Sequence, residues 1–470
     1  MSSNSSNSHT QVDRTGLPTL LALRDELNAA LAAVETSAMP VPSLDAAKVK
    51  SGEAVIPRLS KPAKDAVDAA REMLALLQGP SGVVEKTFAP HAAAALRVAV
   101  EVHVAETLRE ANEEGKPTLH VDEIAKSSAI EPAKLARVLR LLAANHIFRE
   151  VEPNCFSNNR CSIILDTGKS VEELKSTKDW FTGTNGIAAF TTIWTNEGLK
   201  GAAFLAETLL SPSTATATDA GKAATCRALG IEVPLWENWA KETQGMDAQR
   251  FAAAMIGSHE WMGEEGDASS YPFKDLPAGA TVVDVGSGSG AVALRLVDTV
   301  PQINLVLEDL PETIKAAQAV WEKEHPNYLK SGKVKLLPHD FFTPQPVKGA
   351  EVYLLGMAIH DWSTPFASQI LKHLSEAASP QSKLLLLEPT YKYLSSSSSP
   401  ADRALLGYPL DIQVLECING QERTREDLSE LGEQSGWRMK EVWTTGEGGR
   451  EGKTRVYEFE KAPAAAEGGQ

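Results

Sequence analysis

Val282-Val283-Asp284-Val285-Gly286-Ser287-Gly288-Ser289-Gly290 is the stretch that decides the fold. A short β-branched run leads directly into alternating glycines, the pattern of a strand that ends in a glycine-rich turn and opens a helix at Ala291. Glycines at Gly286 and Gly288 permit a ligand to approach the backbone closely. Asp309 lies 21 residues beyond Gly288, at the end of the next apolar run, where a carboxylate can accept hydrogen bonds from ribose hydroxyls. The pair points to a nucleoside-containing cofactor. Gly286-x-Gly288-x-x-Ala291 also satisfies the relaxed dinucleotide fingerprint, so the loop alone does not choose between cofactors.

Outward from this loop the chain alternates strand-like and helix-like segments: 281–285, 291–300, 303–308, 314–324, 334–337, 352–355, 366–378 and 383–387. Short continuous apolar strands separated by helices predict a parallel sheet covered on both faces, a doubly wound, Rossmann-like α/β domain. Upstream the texture is helical. Apolar residues recur at helical spacing over 17–34 and again over 61–77, where Gly79-Pro80 predicts a stop. A helix over 92–110, a short one over 121–127, a third over 132–144 and a small hairpin around Pro153-Asn154 make the pattern of a winged helix. The low-complexity run at 211–218 predicts a loop, with a domain boundary beyond it. The expected organisation is an N-terminal extension over 1–60, a helical and winged-helix domain over 61–235, a cofactor-binding domain over 236–461 and a disordered tail over 462–470.

The 470 residues carry 62 acidic and 46 basic side chains, a formal charge of −16. Such a surface repels nucleic acid and anionic lipid, so the mildly basic third helix, with Lys134, Arg137 and Arg140, is assigned to packing or dimerisation rather than to DNA. Cys155, Cys161, Cys226 and Cys417 form no CxxC pair, which fits reduced thiols and no metal. No secretory leader and no apolar run of roughly 20 residues is present, so a cytoplasmic protein with no membrane span is expected.

The order of motifs past the loop resembles the class of small-molecule O-methyltransferases that includes caffeic acid, flavonoid and fungal polyketide enzymes. The resemblance rests on Asp284-Val-Gly-Ser-Gly-Ser-Gly290, Asp309-Leu-Pro311, His339-Asp-Phe-Phe342 with Pro344, His360-Asp-Trp362, Leu387-Glu388-Pro389, and Gln421-Glu-Arg-Thr424 followed by Gly436-Trp437. It implies S-adenosyl-L-methionine as cofactor, a homodimer formed through the N-terminal domain, and a small aromatic substrate. It also implies that Gly286 and Gly288 approach the methionine end of the cofactor, Asp309 the ribose, and Asp340 with Phe341 the adenine. A carboxylate-rich site and an aromatic wall suit a sulfonium cation and a flat base.

A neutral phenol has a reference pKa near 10 and needs a base to become a nucleophile at physiological pH. His360 follows the strand 352–355 on the sheet edge where such domains place ligands, and the resemblance makes it the base. Glu388 and Glu422 match the acidic residues that hold the ring of that histidine. Phe251 and Met255 match a Phe-x-x-x-Met pattern of the acceptor pocket, with Trp261 and Met262 nearby; one helical turn apart, they are equally suited to a core. Two departures stand out: Gly356 occupies a position where the family usually has Lys or Arg, and GSGSG replaces three consecutive glycines. Three rivals remain at this stage: a C- or N-methyltransferase on the same scaffold, a degenerate binding or regulatory relative, and a nicotinamide oxidoreductase.

Overall fold

The computed structural model describes residues 16–36, 60–88, 90–177, 179–242, 246–262, 268–389, 391–399, 407–444 and 454–463. The chain divides into two compact units, one built from residues 1–43, 57–90 and 394–404, the other from the remainder. In the first unit, helices α1 (Leu17–Glu35) and α2 (Lys61–Glu85) pack against each other. Ser60 caps α2 by accepting from the Ala63 N–H, and Pro62 lies in its first turn, where a missing N–H costs nothing. The expected stop at Gly79-Pro80 is instead a kink. Gly79 adopts φ 66° and ψ −178°, Pro80 follows it, and helix resumes to Glu85.

The second unit opens with α3 (His91–Glu101) and α4 (Val104–Glu113), where the sequence predicts one continuous helix. The break falls at His103, left-handed at φ 58°, whose buried ring meets Trp180 edge-on at 4.8 Å. A tertiary ring contact overrides local helix propensity there. There follow β1 (Leu119–His120), α5 (Val121–Ile124), α6 (Pro132–Ala144), β2 (Arg149–Glu152) and β3 (Cys155–Ser157), the strands pairing in the order β1-β3-β2. Glu131 caps α6 through the N–H groups of Ala133 and Lys134, and Leu135, Leu139 and Leu142 bury its inner face. Arg140 is committed to Glu150 at 2.7 Å and Asn154 at 3.0 Å within the wing. That use fits packing rather than phosphate contact.

Six further helices lead to the second domain: α7 (Val171–Ser176), α8 (Ile187–Ile193), α9 (Leu199–Leu209), α10 (Ala224–Leu229), α11 (Leu235–Glu242) and α12 (Met246–Met262). A π-helical turn, Trp194–Gly198, joins α8 to α9, and the run 211–218 lies between helices, as predicted.

The sheet has the order β6-β5-β4-β7-β8-β10-β9. Its parallel strands are β4 (Thr281–Val285), β5 (Asn304–Asp309), β6 (Val334–Pro338), β7 (Val352–Gly356) and β8 (Lys383–Pro389). The antiparallel β9 (Trp437–Trp443) and β10 (Thr454–Lys461) close one edge. Between the strands run α13 (Ala291–Thr299), α14 (Pro311–Glu324), α15 (Pro326–Lys330), α16 (Thr364–Ala377), α17 (Gly407–Ile418) and α18 (Arg425–Gln434). Leu384 and Leu386 join one apolar layer while Leu385 and Leu387 join the other, which is why β8 reads as an unbroken leucine run. Strand β4 pairs with β5 on one side and β7 on the other, so the strand order reverses there. Ligand crevices in doubly wound sheets open at the carboxyl ends of the strands beside such a reversal.

Candidate active site

The loop after β4 is built by its glycines. Gly286, Gly288 and Gly290 all have positive φ, at 70°, 57° and 83°, whereas Ser287 and Ser289 do not. The alternating sequence therefore places glycine only where left-handed backbone demands it, which explains how GSGSG serves in place of consecutive glycines. The N–H groups of Gly286 and Ser287 both donate to the Glu308 carbonyl, at 2.9 and 3.0 Å. Asp309 braces the turn from β5: Oδ2 accepts from the Gly288 N–H at 2.9 Å and Oδ1 from the Leu310 N–H at 2.7 Å. Burial lifts its carboxyl above the ordinary range, and these backbone bonds oppose that rise.

Two polar atoms at the end of β4 and in this loop, Asp284 Oδ2 and Ser287 Oγ, are buried without a partner among the described residues. Burial, aided by the nearby Asp309 and Glu308, pushes Asp284 up to about 7. Phe341 covers the turn: its Cε1 lies 3.4 Å from where a Cβ on Gly286 would stand, and its ring meets Trp362 edge-on at 5.6 Å. One aromatic ring thus joins the glycine loop to the His-Asp-Trp motif. Asp340 is exposed, and its Oδ1 accepts from the Phe342 N–H at 3.0 Å.

His360 occupies a short turn, Ile359–Asp361, beyond the end of β7. Its ring is buried, with Nδ1 2.6 Å from Glu422 Oε1 and Nε2 3.4 Å from Asp361 Oδ1. Burial alone would lower the imidazole's pKa; the neighbouring Glu422, Asp361 and Glu388 carboxylates outweigh it and push His360 up to about 10. Glu388, at the end of β8, does not bond the ring as the resemblance implies. Its Oε1 accepts from the Ile359 backbone N–H at 3.0 Å, fixing the turn that carries the histidine, and its Oε2 is buried with no partner among the described residues. Burial pushes Glu388 up to about 7.

Sequence reasoning missed the clamp behind the turn. Arg423, buried between Glu422 and Thr424, donates to the carbonyls of Ile359 at 3.0 Å and Trp362 at 2.7 Å. The Gln421 N–H donates to the His360 carbonyl at 2.8 Å. The Gln421-Glu-Arg-Thr424 motif is therefore a single device, with Glu422 facing the ring and Arg423 holding its backbone. A capping box between Thr424 and Asp427 then starts α18. The arginine stood in the quoted motif; nothing in its spacing revealed the two carbonyls it reaches.

Gly286, Gly288, Asp309 and Phe341 form one group, and His360, Glu388 and Glu422 another, joined through Trp362 and Phe341. Phe251 and Met255, expected at the acceptor pocket, both sit on α12. Phe251 is partly exposed against Trp239 at 5.2 Å, and Met255 packs on the helical core beside Ala253 and Ala254. The side chains of Trp261 and Met262 lie outside the described residues. No cluster of three or more potential metal ligands occurs among the described residues. No helix among them is long and apolar enough to cross a membrane.

A glycine turn at the sheet's reversal point, a braced acidic residue on the next strand and a carboxylate-held histidine define a Rossmann-like methyltransferase domain. Comparison with known proteins agrees. The family model described as "O-methyltransferase domain" matches residues 224–438, and that described as "O-methyltransferase dimerisation domain" matches residues 85–167. An O-methyltransferase of Armillaria gallica is 35% identical over 374 residues, covering 74% of this chain and 78% of that protein. The 4-O-methyltransferase 1 of Phanerochaete chrysosporium is 32% identical over 458 residues, covering 91% of this chain and 96% of that one. Among solved structures, OxaC in complex with SAH and oxaline superposes with a TM-score of 0.70 at 17% identity, over 95% of this chain and 99% of that one. The chain belongs to the O-methyltransferase family, whose methyl donor is S-adenosyl-L-methionine.

Proposed function

We propose that this enzyme methylates a phenolic hydroxyl of a small aromatic molecule, with His360 as general base, and works as a homodimer through its N-terminal domain. The observation that carries this reading is the 2.6 Å contact between His360 Nδ1 and Glu422 Oε1. A carboxylate on Nδ1 keeps a proton there and leaves Nε2 to accept one from the substrate. Glu388 and Arg423 hold the backbone on either side of the ring, so the base is fixed before the acceptor arrives.

The loop suits the cofactor. Asp284 Oδ2, an acceptor, and Ser287 Oγ, a hydroxyl that can donate or accept, are buried with no partner among the described residues, the turn is stripped of side chains where a ligand must approach, and Phe341 supplies an aromatic face. Gly286, Gly288 and Asp309 would hold S-adenosyl-L-methionine, with Phe341 against it and Asp340 at the rim. When bound, it supplies a methyl group activated by a positive sulfonium. The surrounding carboxylates favour that charge, and a base next to the acceptor hydroxyl raises its nucleophilicity. The dimerisation-domain match and the names of the relatives, which include position-specific O-methyltransferases, support the same reading.

Replacing His360 with Ala tests it. Turnover of phenolic acceptors is expected to fall by at least about a hundredfold, while calorimetric titration shows S-adenosyl-L-methionine still binding. Unchanged turnover in that variant would remove His360 from the mechanism. Methylation at carbon or nitrogen, read from the product's mass spectrum and NMR, would overturn the oxygen assignment.

A further inference from the structure

Ser363 stands at the N-cap of α16, where a serine hydroxyl ordinarily accepts from a backbone N–H of the first turn. It makes no such bond. Its Oγ donates instead to the Thr218 carbonyl at 3.0 Å, a residue 145 positions away. Asn419, just past the end of α17, is left-handed at φ 54°, and its Nδ2 donates to the next carbonyl, that of Asp219, at 2.7 Å. Two side chains suited to local capping and turning thus both reach one dipeptide in the segment between α9 and α10. That dipeptide is itself fixed, because Asp219 Oδ1 accepts from the Gly221 N–H at 2.8 Å and starts the short turn Ala220–Lys222.

The two tethered residues flank the base. Ser363 follows His360 closely in the chain, and Asn419 precedes Gly420, where a Cβ would stand 2.5 Å from the His360 carbonyl. These two stretches of chain already form one body: the Gln421 N–H donates to the His360 carbonyl at 2.8 Å, and Thr364 Oγ1 donates to Gln421 Oε1 at 3.2 Å. The bonds to Thr218 and Asp219 are therefore not what pairs His360 with Glu422. They fix where the pair sits. A third contact has the same character: Trp236 on α11 meets the Trp362 ring edge-on at 5.2 Å. One turn further along α11, Trp239 lies 5.2 Å from Phe251, a residue expected at the acceptor pocket. Helix α11 touches the catalytic turn through one tryptophan and α12 through the other.

We propose that Ser363, Asn419 and Trp236 are positioning residues that register the base against the helical segment carrying the expected acceptor residues, so that His360 Nε2 meets the acceptor oxygen at bonding distance. Misplacing a reacting group by about 1 Å costs up to about a hundredfold in rate, even when the change lies away from the chemistry. The inference rests on the reading of His360 as general base. It gives a role to Thr218 and Asp219, which belong to no catalytic motif.

The test uses Ser363→Ala and Asn419→Gly, singly and together, in the full chain. Glycine accepts the left-handed backbone at 419, so only the donor is lost. Ser363→Thr keeps the hydroxyl and serves as the rescue. Turnover is followed with catechol and guaiacol as acceptor probes, S-adenosylhomocysteine affinity by calorimetry, and protection of the segments 357–364 and 419–424 by amide hydrogen exchange. In the double variant kcat is expected to fall about tenfold or more while S-adenosylhomocysteine affinity changes by less than about twofold, and both segments exchange faster. Ser363→Thr should turn over like the wild type. The pH at which kcat/KM rises should stay in place, because Glu422 remains on the ring. A double variant that only melts earlier, with kcat unchanged well below its melting temperature, overturns the proposal, as does a rate lost in step with cofactor affinity. If the wild type methylates neither probe, the phenol reading fails and exchange alone decides: protection lost in the double variant supports the docking, and protection kept overturns it.

Discussion

His360 Nδ1 and Glu422 Oε1 stand 2.6 Å apart, and Glu422 is itself held by Asp411 through its backbone N–H. The contact raises the proton affinity of the ring, so the form with Nε2 free to accept a proton gains population as pH rises above the ordinary imidazole range. A base whose value is raised toward that of a phenol, near 10, makes proton transfer from the phenol less uphill than an ordinary imidazole does. The consequence is a pH profile in which kcat/KM still climbs above the ordinary imidazole value of 6.5. Glu422→Gln removes a carboxylate that favours the imidazolium, so the rising limb should move to lower pH while the maximal rate drops about a hundredfold. A limb that stays in place would separate the rate-controlling ionisation from His360.

The glycine loop offers a steric contrast within one turn. A Cβ on Gly290 would lie 2.5 Å from Leu307 Cδ2 and 2.6 Å from Trp321 Nε1, whereas one on Gly288 meets nothing within 4 Å. Both positions have positive φ, so each alanine carries the left-handed penalty of about 1–2 kcal/mol. Gly290→Ala adds overpacking of about 1–3 kcal/mol against the buried Trp321. Thermal unfolding should therefore show Gly290→Ala clearly less stable than Gly288→Ala. Equal melting temperatures would mean that the loop shifts to accommodate the methyl.

Glu308 gives a pH dependence of stability with a definite sign. Burial pushes its carboxyl up from 4.5 to about 7, although Gln345 Nε2 donates to Oε2 at 2.7 Å and opposes the shift. The folded chain then holds this proton more tightly than the unfolded one, so the group subtracts stability progressively as pH rises from 4.5 to about 7, and by a constant amount above. Glu308→Gln keeps an oxygen for Gln345 and removes the charge. Its melting temperature relative to wild type should be several degrees higher at about pH 8 than at about pH 5. A difference independent of pH would show Glu308 to be ionised without cost.

How much of this was legible in the sequence depended on whether a feature was written into one segment. Strand β4 and its loop were legible because burial on both faces produces a continuous apolar run and the left-handed turns demand glycine. Strand β10, which lies between β8 and the edge strand β9, was not, because its alternation hides a buried charge: Glu458 lies inward and is neutralised by Lys383 at 2.9 Å, with the Trp443 Nε1–H also donating at 2.9 Å. The break at His103 was illegible for a related reason, since its cause, Trp180, is far along the chain. His360 and Glu422 could be paired by resemblance, but the division of labour between Glu422 on the ring and Glu388 on the Ile359 N–H is a matter of backbone path.

Gly356 is the departure from the family pattern that most directly concerns cofactor affinity, and the structure gives it a local cause. It ends β7 beside the start of α13, and a Cβ there would stand 3.1 Å from Val292 Cγ2 and 3.7 Å from Leu387 Cδ2. Valine branches at Cβ and has few rotamers in a helix, so it yields poorly to a new neighbour. The absence of a basic residue at this position and the presence of Val292 are thus coupled through packing. Gly356→Arg alone is expected to lower the melting temperature and leave S-adenosyl-L-methionine affinity no better than wild type. Combined with Val292→Ala, which opens the space, the same arginine should recover stability relative to the single variant, with a coupling of about 0.5–3 kcal/mol in a double-mutant cycle. Strict additivity would show that Val292 does not obstruct the position, and the missing basic side chain would then need another explanation.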